Sequence, residues 1–187
     1  VACGLPRVRM TSIERQVGEA PTLGEVASRI AVNTIHEYLA KALANNDNTL
    51  PLGYDQSLSR HSYCLKRSIH SAHDKVLKAI REDGSLLGMG TTVVAAVVRD
   101  DWLTIANVGD SRAYLVRGGE AKQITRDHSW VAEQVAAGLL TNEEAQTHMY
   151  RSVVTRCLGH RTRIVPGGGL RLARPRHLGR QRGCGSR

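Results

Sequence analysis

The feature that most constrains the fold is a change of hydrophobic period near Gly84. Before it, apolar residues recur at helical spacing over Thr22–Ala44 and Leu58–Ile80. After it, Thr91–Val98 (TTVVAAVV) is rich in β-branched residues and apolar on both faces, as an interior strand is. The chain is therefore expected to combine two amphipathic helices with strands, and each helix must pack against another layer.

Turn and capping signals divide the chain into further elements. We predict an antiparallel meander made of Thr91–Val98, Trp102–Val108, Arg112–Val116 and Ala121–Thr125, with turns at Asp100-Asp101, Gly109-Asp110-Ser111 and Gly118-Gly119. Capping boxes are predicted at Thr22–Glu25 and Thr141–Glu144, and short helices at Ser129–Ala137, after Thr141 and at Arg151–Leu158. Helices, a meander and then helices give the α+β class.

Length and composition favour one domain inside the cell. A chain of 187 residues has room for one sizeable core. The sequence has no run of eighteen apolar residues and no leader-like pattern at Val1–Met10, so we expect a cytoplasmic protein that does not enter a membrane. The cysteines, expected to be free thiols because no C-x-x-C pair occurs, are Cys3, Cys64, Cys157 and Cys184.

The positive charge is concentrated at the carboxyl end. Of the net charge of +9, eight charges lie in residues 160–187, which hold eight arginines and no acidic residue. This segment lacks an apolar period, so we expect a disordered basic tail. Binding of nucleic acid through the tail is an alternative function, disfavoured because the tail has no aromatic residue on which a base could stack.

Three clusters carry candidate chemistry, and each also has a plain structural explanation. Gly88-Met89-Gly90-Thr91-Thr92 can be a connector into a strand, and Asn107-Val-Gly-Asp110-Ser-Arg112 can be a hairpin turn. In Thr125-Arg-Asp127-His128-Ser129, the Asp and Ser side chains can cap the following helix. His70 and His73 share a spacing suited to one helix face, but without a further ligand type nearby we expect them to be solvated.

Taken in order, the segments GMGTT, ANVGDSRAYLVR, QITRDHSWVAEQVAAGLLTNEEA and RSVVTRCLG resemble the protein phosphatase 2C (PP2C, or PPM) family of metal-dependent serine/threonine phosphatases in its bacterial form. The resemblance covers Gly88–Gly159 and, more weakly, Gly24–Val32 (GEVASRIAV). It implies a four-layer α-β-β-α sandwich, here incomplete. It also implies hydrolysis of phosphoserine and phosphothreonine with Mn²⁺ or Mg²⁺ and phosphoprotein substrates. A serine/threonine kinase is a candidate partner that the sequence does not specify.

The resemblance also assigns roles to individual positions. Asp110 matches an aspartate that serves an additional metal position beside the family's central metal pair, with Gly109, Ser111 and Arg112 as its motif neighbours. The matches with a structural role at the strand entry are Gly88, Gly90, Thr91 and Thr92. Asp127 and His128 match a pair that precedes the family's flap, which corresponds here to Val131–His148 and influences substrate access. The implied organisation is a divergent amino-terminal segment (1–21), a partial phosphatase domain (22–159) and the tail (160–187).

Several acidic segments of the family pattern are missing from this sequence. The family's D-G-x-G-G segment should precede Gly24, and its S-D-G and D-N segments should follow the T-R-x-L-G stretch, but the first aspartate is Asp47 and none follows Asp127. Few carboxylates then remain to compete with water for Mg²⁺ or Mn²⁺. We expect this chain to be impaired or inactive, and a non-catalytic phosphatase-like binding module is the alternative.

The abrupt loss of resemblance on both sides of the domain predicts either changes of reading frame near Pro21–Gly24 and Gly159-His160 or a fragment translated with errors. Translating the encoding DNA in its other two frames should reveal a D-G-x-G-G segment upstream and an S-D-G segment downstream. Their absence from all frames would contradict the reading-frame explanation.

Overall fold

The structure is a computed structural model that describes residues 22–44, 58–99, 102–160 and 167–173. In chain order its elements are α1 (Leu23–Ala44), α2 (Arg60–Glu82), a 3-10 turn (Gly84–Leu86), β1 (Val93–Arg99), β2 (Trp102–Val108), β3 (Tyr114–Arg117), β4 (Glu120–Gln123), α3 (Trp130–Ala136), α4 (Asn142–Thr147) and β5 (Gly167–Ala173). The expectations for residues 1–21 and for the turn at 100–101 lie outside the described residues.

The two long helices begin at side chains that satisfy their first free backbone amides. At α1, the Thr22 N–H donates to Glu25 Oε2 over 2.6 Å, and the Glu25 N–H donates back to Thr22 Oγ1 over 3.3 Å. This reciprocal pair is the capping box that the sequence predicts. At α2, the Ser62 N–H donates to Ser59 Oγ over 3.2 Å, and the helix ends at Asp83. Local sequence therefore sets where both helices start.

One apolar core joins these helices to the first sheet. α1 packs along α2, α2 packs against β1 and β2, and all four elements contribute side chains to the same core. The large side chains that are almost fully buried in this core are Ile35, Leu39, Leu65, Ile69, Val97, Val108 and Leu158. Burying one such side chain stabilises a fold by about 1.5–3 kcal/mol, so this contact fixes the helix pair on one face of the sheet.

The strands form two separate sheets, and the prediction of one meander is wrong. β2 pairs antiparallel with β1 on one side and with β5 on the other, whereas β3 and β4 form an independent antiparallel pair. Two features of the structure prevent β3 from pairing with β2. Gly109, with φ +106°, turns the chain away at its end, and β5 occupies the edge that β3 would need. The antiparallel pairing of β1 with β2 and of β3 with β4 is confirmed.

β5 also corrects the prediction that the whole of residues 160–187 is disordered. Gly167–Ala173 pairs antiparallel with β2, and the register shifts between Ile105 and Asn107. Strand pairing requires backbone donors and acceptors rather than an apolar period, and the open edge of β2 supplies them. Residues 161–166 and 174–187 lie outside the described part of the chain.

The segment Arg151–Leu158 is not the helix predicted from its spacing. It makes two isolated bridges, Thr91 with Leu158 and Ser129 with Val154. Thr91 and Leu158 exchange two backbone hydrogen bonds of 3.1 and 2.9 Å. Val154 and Leu158 are four residues apart, which suits a helix, but here they bridge to different segments, so tertiary pairing overrides the local period.

His73 is buried, contrary to the expectation that it is solvated. Its Nδ1 accepts a hydrogen bond from the Gly159 N–H over 3.3 Å. Burial is the main cause that lowers the pKa of His73, with His160 acting in the same direction. The imidazole therefore anchors the chain just after Leu158, and its neutral form is the one that accepts the bond.

The described elements confirm an α+β fold, with a helix pair on a three-stranded sheet and a separate two-stranded sheet beside two short helices. Within the ranges described, no helix has both the length and the apolar content needed to cross a bilayer.

Replacing Leu158 with alanine is expected to lower the free energy of unfolding by about 2–5 kcal/mol, because the removed methyl groups leave a cavity in the core. The side chain is 0% exposed. Urea unfolding followed by circular dichroism measures the loss. Val153→Ala is the matched control on the same segment, since Val153 is 44% exposed, and should change stability by no more than about 0.5 kcal/mol. Equal losses in the two variants would contradict an anchoring role for Leu158.

Candidate functional site

A cleft of about 1070 Å³ lies beside the β3–β4 pair and the α3 and α4 helices. Three of the site residues predicted from sequence line it, namely Asp110, Arg112 and Asp127. The other charged residues of the lining are Arg126 and Arg151. Because the cleft gathers the predicted acidic residues with several cations, it is the candidate functional site.

The turn that carries Asp110 is held from behind by His128. The Gly109 N–H donates to His128 Nδ1 over 3.1 Å, and the His128 N–H donates to the Gly109 carbonyl over 3.0 Å. Since Nδ1 accepts a bond, the ring is neutral and carries its proton on Nε2. Burial, and next the charge of Arg156, lowers the pKa of His128. His128 therefore acts as a positioning residue for the turn.

Gly109 also allows a second segment to approach the turn closely. A Cβ atom at this position would lie 2.6 Å from Thr92 Cβ, which is closer than packing permits. Beside it, Thr92 Oγ1 and Ser111 Oγ share a hydrogen bond of 2.6 Å. The Asp110 turn is thus fixed by His128 on one side and by Thr92, the residue before β1, on the other.

The glycines before β1 give the chain room to pass the segment that contains Leu158. Gly88 has φ +84°, a conformation that side chains disfavour. A Cβ at Gly90 would lie 3.1 Å from the Leu158 carbonyl oxygen and 3.3 Å from Cys157 Sγ. Gly88, Gly90 and Thr91 contribute nothing to the lining of the cleft, and their contacts belong to the packing of the strand entry.

Asp127 is engaged in an ion pair and does not cap α3. Arg112 Nε and Nη2 donate to Asp127 Oδ2 over 2.8 and 2.6 Å, and Gln123 Nε2 donates to Asp127 Oδ1 over 3.0 Å. The hydrogen bond from Arg112 to Asp127 is the main cause that raises the pKa of the guanidinium. The cap of α3 is Ser129, whose Oγ accepts the Ala132 N–H over 3.3 Å. The prediction that Asp127 caps this helix is therefore wrong.

The described donors do not form a complete metal centre. Asp110 is exposed on the cleft, and its carboxylate is the donor type that Mg²⁺ and Mn²⁺ prefer. Both oxygens of Asp127 are already hydrogen-bonded, and its side chain is only 10% exposed. In the part of the chain that the structure describes, no three His, Cys, Asp or Glu side chains are grouped as metal ligands. Asp110 can contribute one ligand to a site that needs more.

Sequence reasoning missed two cations of the cleft, Arg126 and Arg151. The Arg126 backbone is fixed because the buried Asn107 Nδ2 donates to its carbonyl over 2.8 Å. The adjacency of Arg126 to Asp127 was a usable signal, since Asp127 was already a candidate. Arg151 has no such signal, because only the fold brings its segment to the cleft.

An aromatic cluster of Trp130, His148 and Tyr150 joins the two ends of the segment Val131–His148, which corresponds to the family's flap. The Trp130 and His148 rings stack with centroids 4.8 Å apart, and Tyr150 meets Trp130 edge-on at 5.2 Å. Between the ends of the flap, α4 starts at the predicted capping box, in which the Glu144 N–H donates to Thr141 Oγ1 over 3.2 Å. The cluster joins the start of α3 to the segment that follows α4.

Stability is expected to fall as the pH drops below about 6.5, because the pKa of His128 is lowered in the folded chain. In that window the unfolded chain binds protons that the folded chain excludes, so acid favours unfolding. His128→Asn keeps an acceptor for the Gly109 N–H but does not titrate, and its loss of stability between pH 7.5 and 5.5 should be smaller. Urea unfolding at each pH gives the comparison. His36→Asn, at an exposed position on α1, is the control. Equal pH dependence in His128→Asn and the unsubstituted chain would contradict the clamp, that is, the pair of hydrogen bonds between Gly109 and a neutral His128.

Comparison with known proteins places the chain in a family by sequence. The Protein phosphatase 2C family model matches residues 18–134, more than half of the chain. The serine/threonine phosphatase stp of Listeria welshimeri is 37% identical over 95 residues, which cover 51% of this chain and 38% of that protein. The serine/threonine protein phosphatase PstP of Mycobacterium tuberculosis is 35% identical over 138 residues, covering 73% of this chain and 24% of that protein.

Solved structures agree with the sequence comparison. The crystal structure of the Mycobacterium tuberculosis phosphatase PstP/Ppp aligns with a TM-score of 0.65 and 28% identity, over 82% of this chain and 58% of that one. The Streptococcus agalactiae serine/threonine phosphatase aligns with a TM-score of 0.65 and 31% identity, over 81% of this chain and 59% of that one. The chain thus has part of the family's α+β fold and spans between 24% and 59% of the length of these relatives. By its sequence and its fold, it belongs to the protein phosphatase 2C family.

Proposed function

We propose that this chain acts on phosphoproteins as a serine/threonine phosphatase domain, with the cleft as its substrate site and Asp110 as a metal ligand. The observation that carries the proposal is the clamp between Gly109 and His128, which holds an exposed carboxylate at the edge of the cleft. The relatives named above are themselves serine/threonine phosphatases, which supports this reaction class.

The proposed cofactor is Mn²⁺ or Mg²⁺. The catalytic domain of PstP has been solved in complex with two manganese ions. Paired divalent cations supply an activated water and neutralise phosphoryl oxygens during hydrolysis. In this chain Asp110 would hold such a cation, whereas Asp127 holds Arg112 and Gln123. Because the described residues supply few metal ligands, we propose that hydrolysis by this chain is impaired.

A phosphatase-like binding module is the second candidate, favoured by the same shortage of donors. The cleft is formed and its charged side chains are positioned, although the described carboxylates do not complete a metal centre. Such a module would bind phosphoproteins or a serine/threonine kinase in the cytoplasm without releasing phosphate. Release of phosphate therefore distinguishes the two candidates.

The test is hydrolysis of a phosphothreonine peptide by the full chain with and without Mn²⁺, measured as released inorganic phosphate. We expect a slow reaction that requires Mn²⁺ and falls at least about tenfold in Asp110→Asn, because a neutral amide is a weaker ligand for a hard cation. Calorimetric titration of Mn²⁺ into both chains reports the metal site without relying on turnover.

Asp74→Asn provides the matched control, since Asp74 is exposed on α2 and away from the cleft lining. It should keep both the reaction and the Mn²⁺ binding. Hydrolysis that is unchanged in Asp110→Asn would contradict the assigned ligand. Peptide binding without any release of phosphate would favour the binding module.

A further inference from the structure

We propose that the cleft selects substrates with acidic residues beside the phosphorylated residue, and that Arg126 and Arg151 make this selection. The inference rests on the proposed function and specifies its substrate class. It assigns the two arginines to specificity and not to the chemical step.

The cations of the cleft differ in their partners. Arg112 is neutralised by Asp127. Arg126 and Arg151 are exposed, and neither forms an ion pair with an acidic side chain among the described residues. Two arginines that line the same cleft, and that have no ion-pair partner among the described acidic side chains, can attract carboxylates from outside, and guanidinium is suited to pair with them in two-point contacts.

Both arginines are carried by constrained backbone. Asn107 holds the Arg126 carbonyl from within the core, and the next two residues are held by Arg112 and by Gly109. The Arg151 N–H donates to the His148 carbonyl over 3.0 Å, in a turn next to the aromatic cluster of the flap. Because these backbones are already ordered, binding would immobilise only the side chains, which limits its entropic cost.

The shape of the cleft favours a peptide segment. Its volume of about 1070 Å³ exceeds what a single phosphate fills. One wall is the apolar side of α3, with Val131, Ala132 and Val135, against which peptide side chains can pack. Nucleic acid fits less well, because Tyr114 is the one aromatic side chain among the described residues that line the cleft, and single-strand binding normally uses several stacking rings.

The test measures binding in EDTA, so that it does not depend on hydrolysis. Three fluorescent phosphothreonine peptides of equal length carry flanking glutamates, glutamines or lysines, and fluorescence anisotropy gives Kd for each with the full chain. We expect the glutamate peptide to bind about fivefold more tightly than the glutamine peptide at low salt. The preference should shrink as salt rises, as exposed ion pairs do.

Variants assign this preference to the two arginines. The double variant Arg126→Gln/Arg151→Gln should bind the glutamate and glutamine peptides equally. Arg117→Gln removes one exposed charge outside the cleft lining and should keep the preference. Circular dichroism melts of all the variants verify that each is folded, since none of these side chains is buried.

Other outcomes overturn the proposal. They are equal affinity of the unsubstituted chain for the glutamate and glutamine peptides, retention of the preference in the double variant, and an oligonucleotide that binds more tightly than the glutamate peptide through the same arginines. A chain that keeps the preference but releases no phosphate in the presence of Mn²⁺ would instead contradict the proposed activity and support the selection.

Discussion

The exchange of two hydrogen bonds between Gly109 and His128 is the contact on which the cleft depends. It joins the end of β2, which is anchored in the core, to the segment that leads into α3. Leaving a buried backbone donor without its partner costs about 1–3 kcal/mol, so the imidazole must stay neutral and in place. Asp110 on one side of this contact and Arg126 on the other take their positions from it.

Two aspartates at the same cleft have different roles because their surroundings differ. Asp127 is nearly buried, and Arg112 and Gln123 donate hydrogen bonds to its two oxygens. Its negative charge is therefore compensated within the fold. Asp110 is exposed on a turn whose neighbouring residues, Gly109 and Ser111, are held by His128 and Thr92, and it lines the cleft. The first aspartate ties the β3–β4 pair to the start of α3, and the second is available to a ligand. Sequence alone presents both simply as acidic residues in motifs.

Features that depend on neighbouring residues could be predicted from the sequence. The caps at Thr22 and Ser129 are examples, because a hydroxyl meets an amide three residues away. Features decided by competition between distant segments could not. β5 takes the edge of β2 that a meander would use, and His73 is buried because Gly159 crosses α2. The partner of Asp127 could not be predicted either, since a cap and an ion pair suit the same carboxylate.

The aromatic cluster makes the two ends of the flap more rigid than its middle. The rings of Trp130, His148 and Tyr150 pack together and hold the two ends of the flap. In the bend between α3 and α4, by contrast, Gly138 has φ +73° and Leu139 is 70% exposed. A loop whose two ends are held together and whose tip makes few packing contacts moves mainly at the tip. Displacement would thus be confined to the bend between α3 and α4, because Thr155 holds Glu133 of α3 over 2.9 Å and the aromatic rings hold the start of that helix.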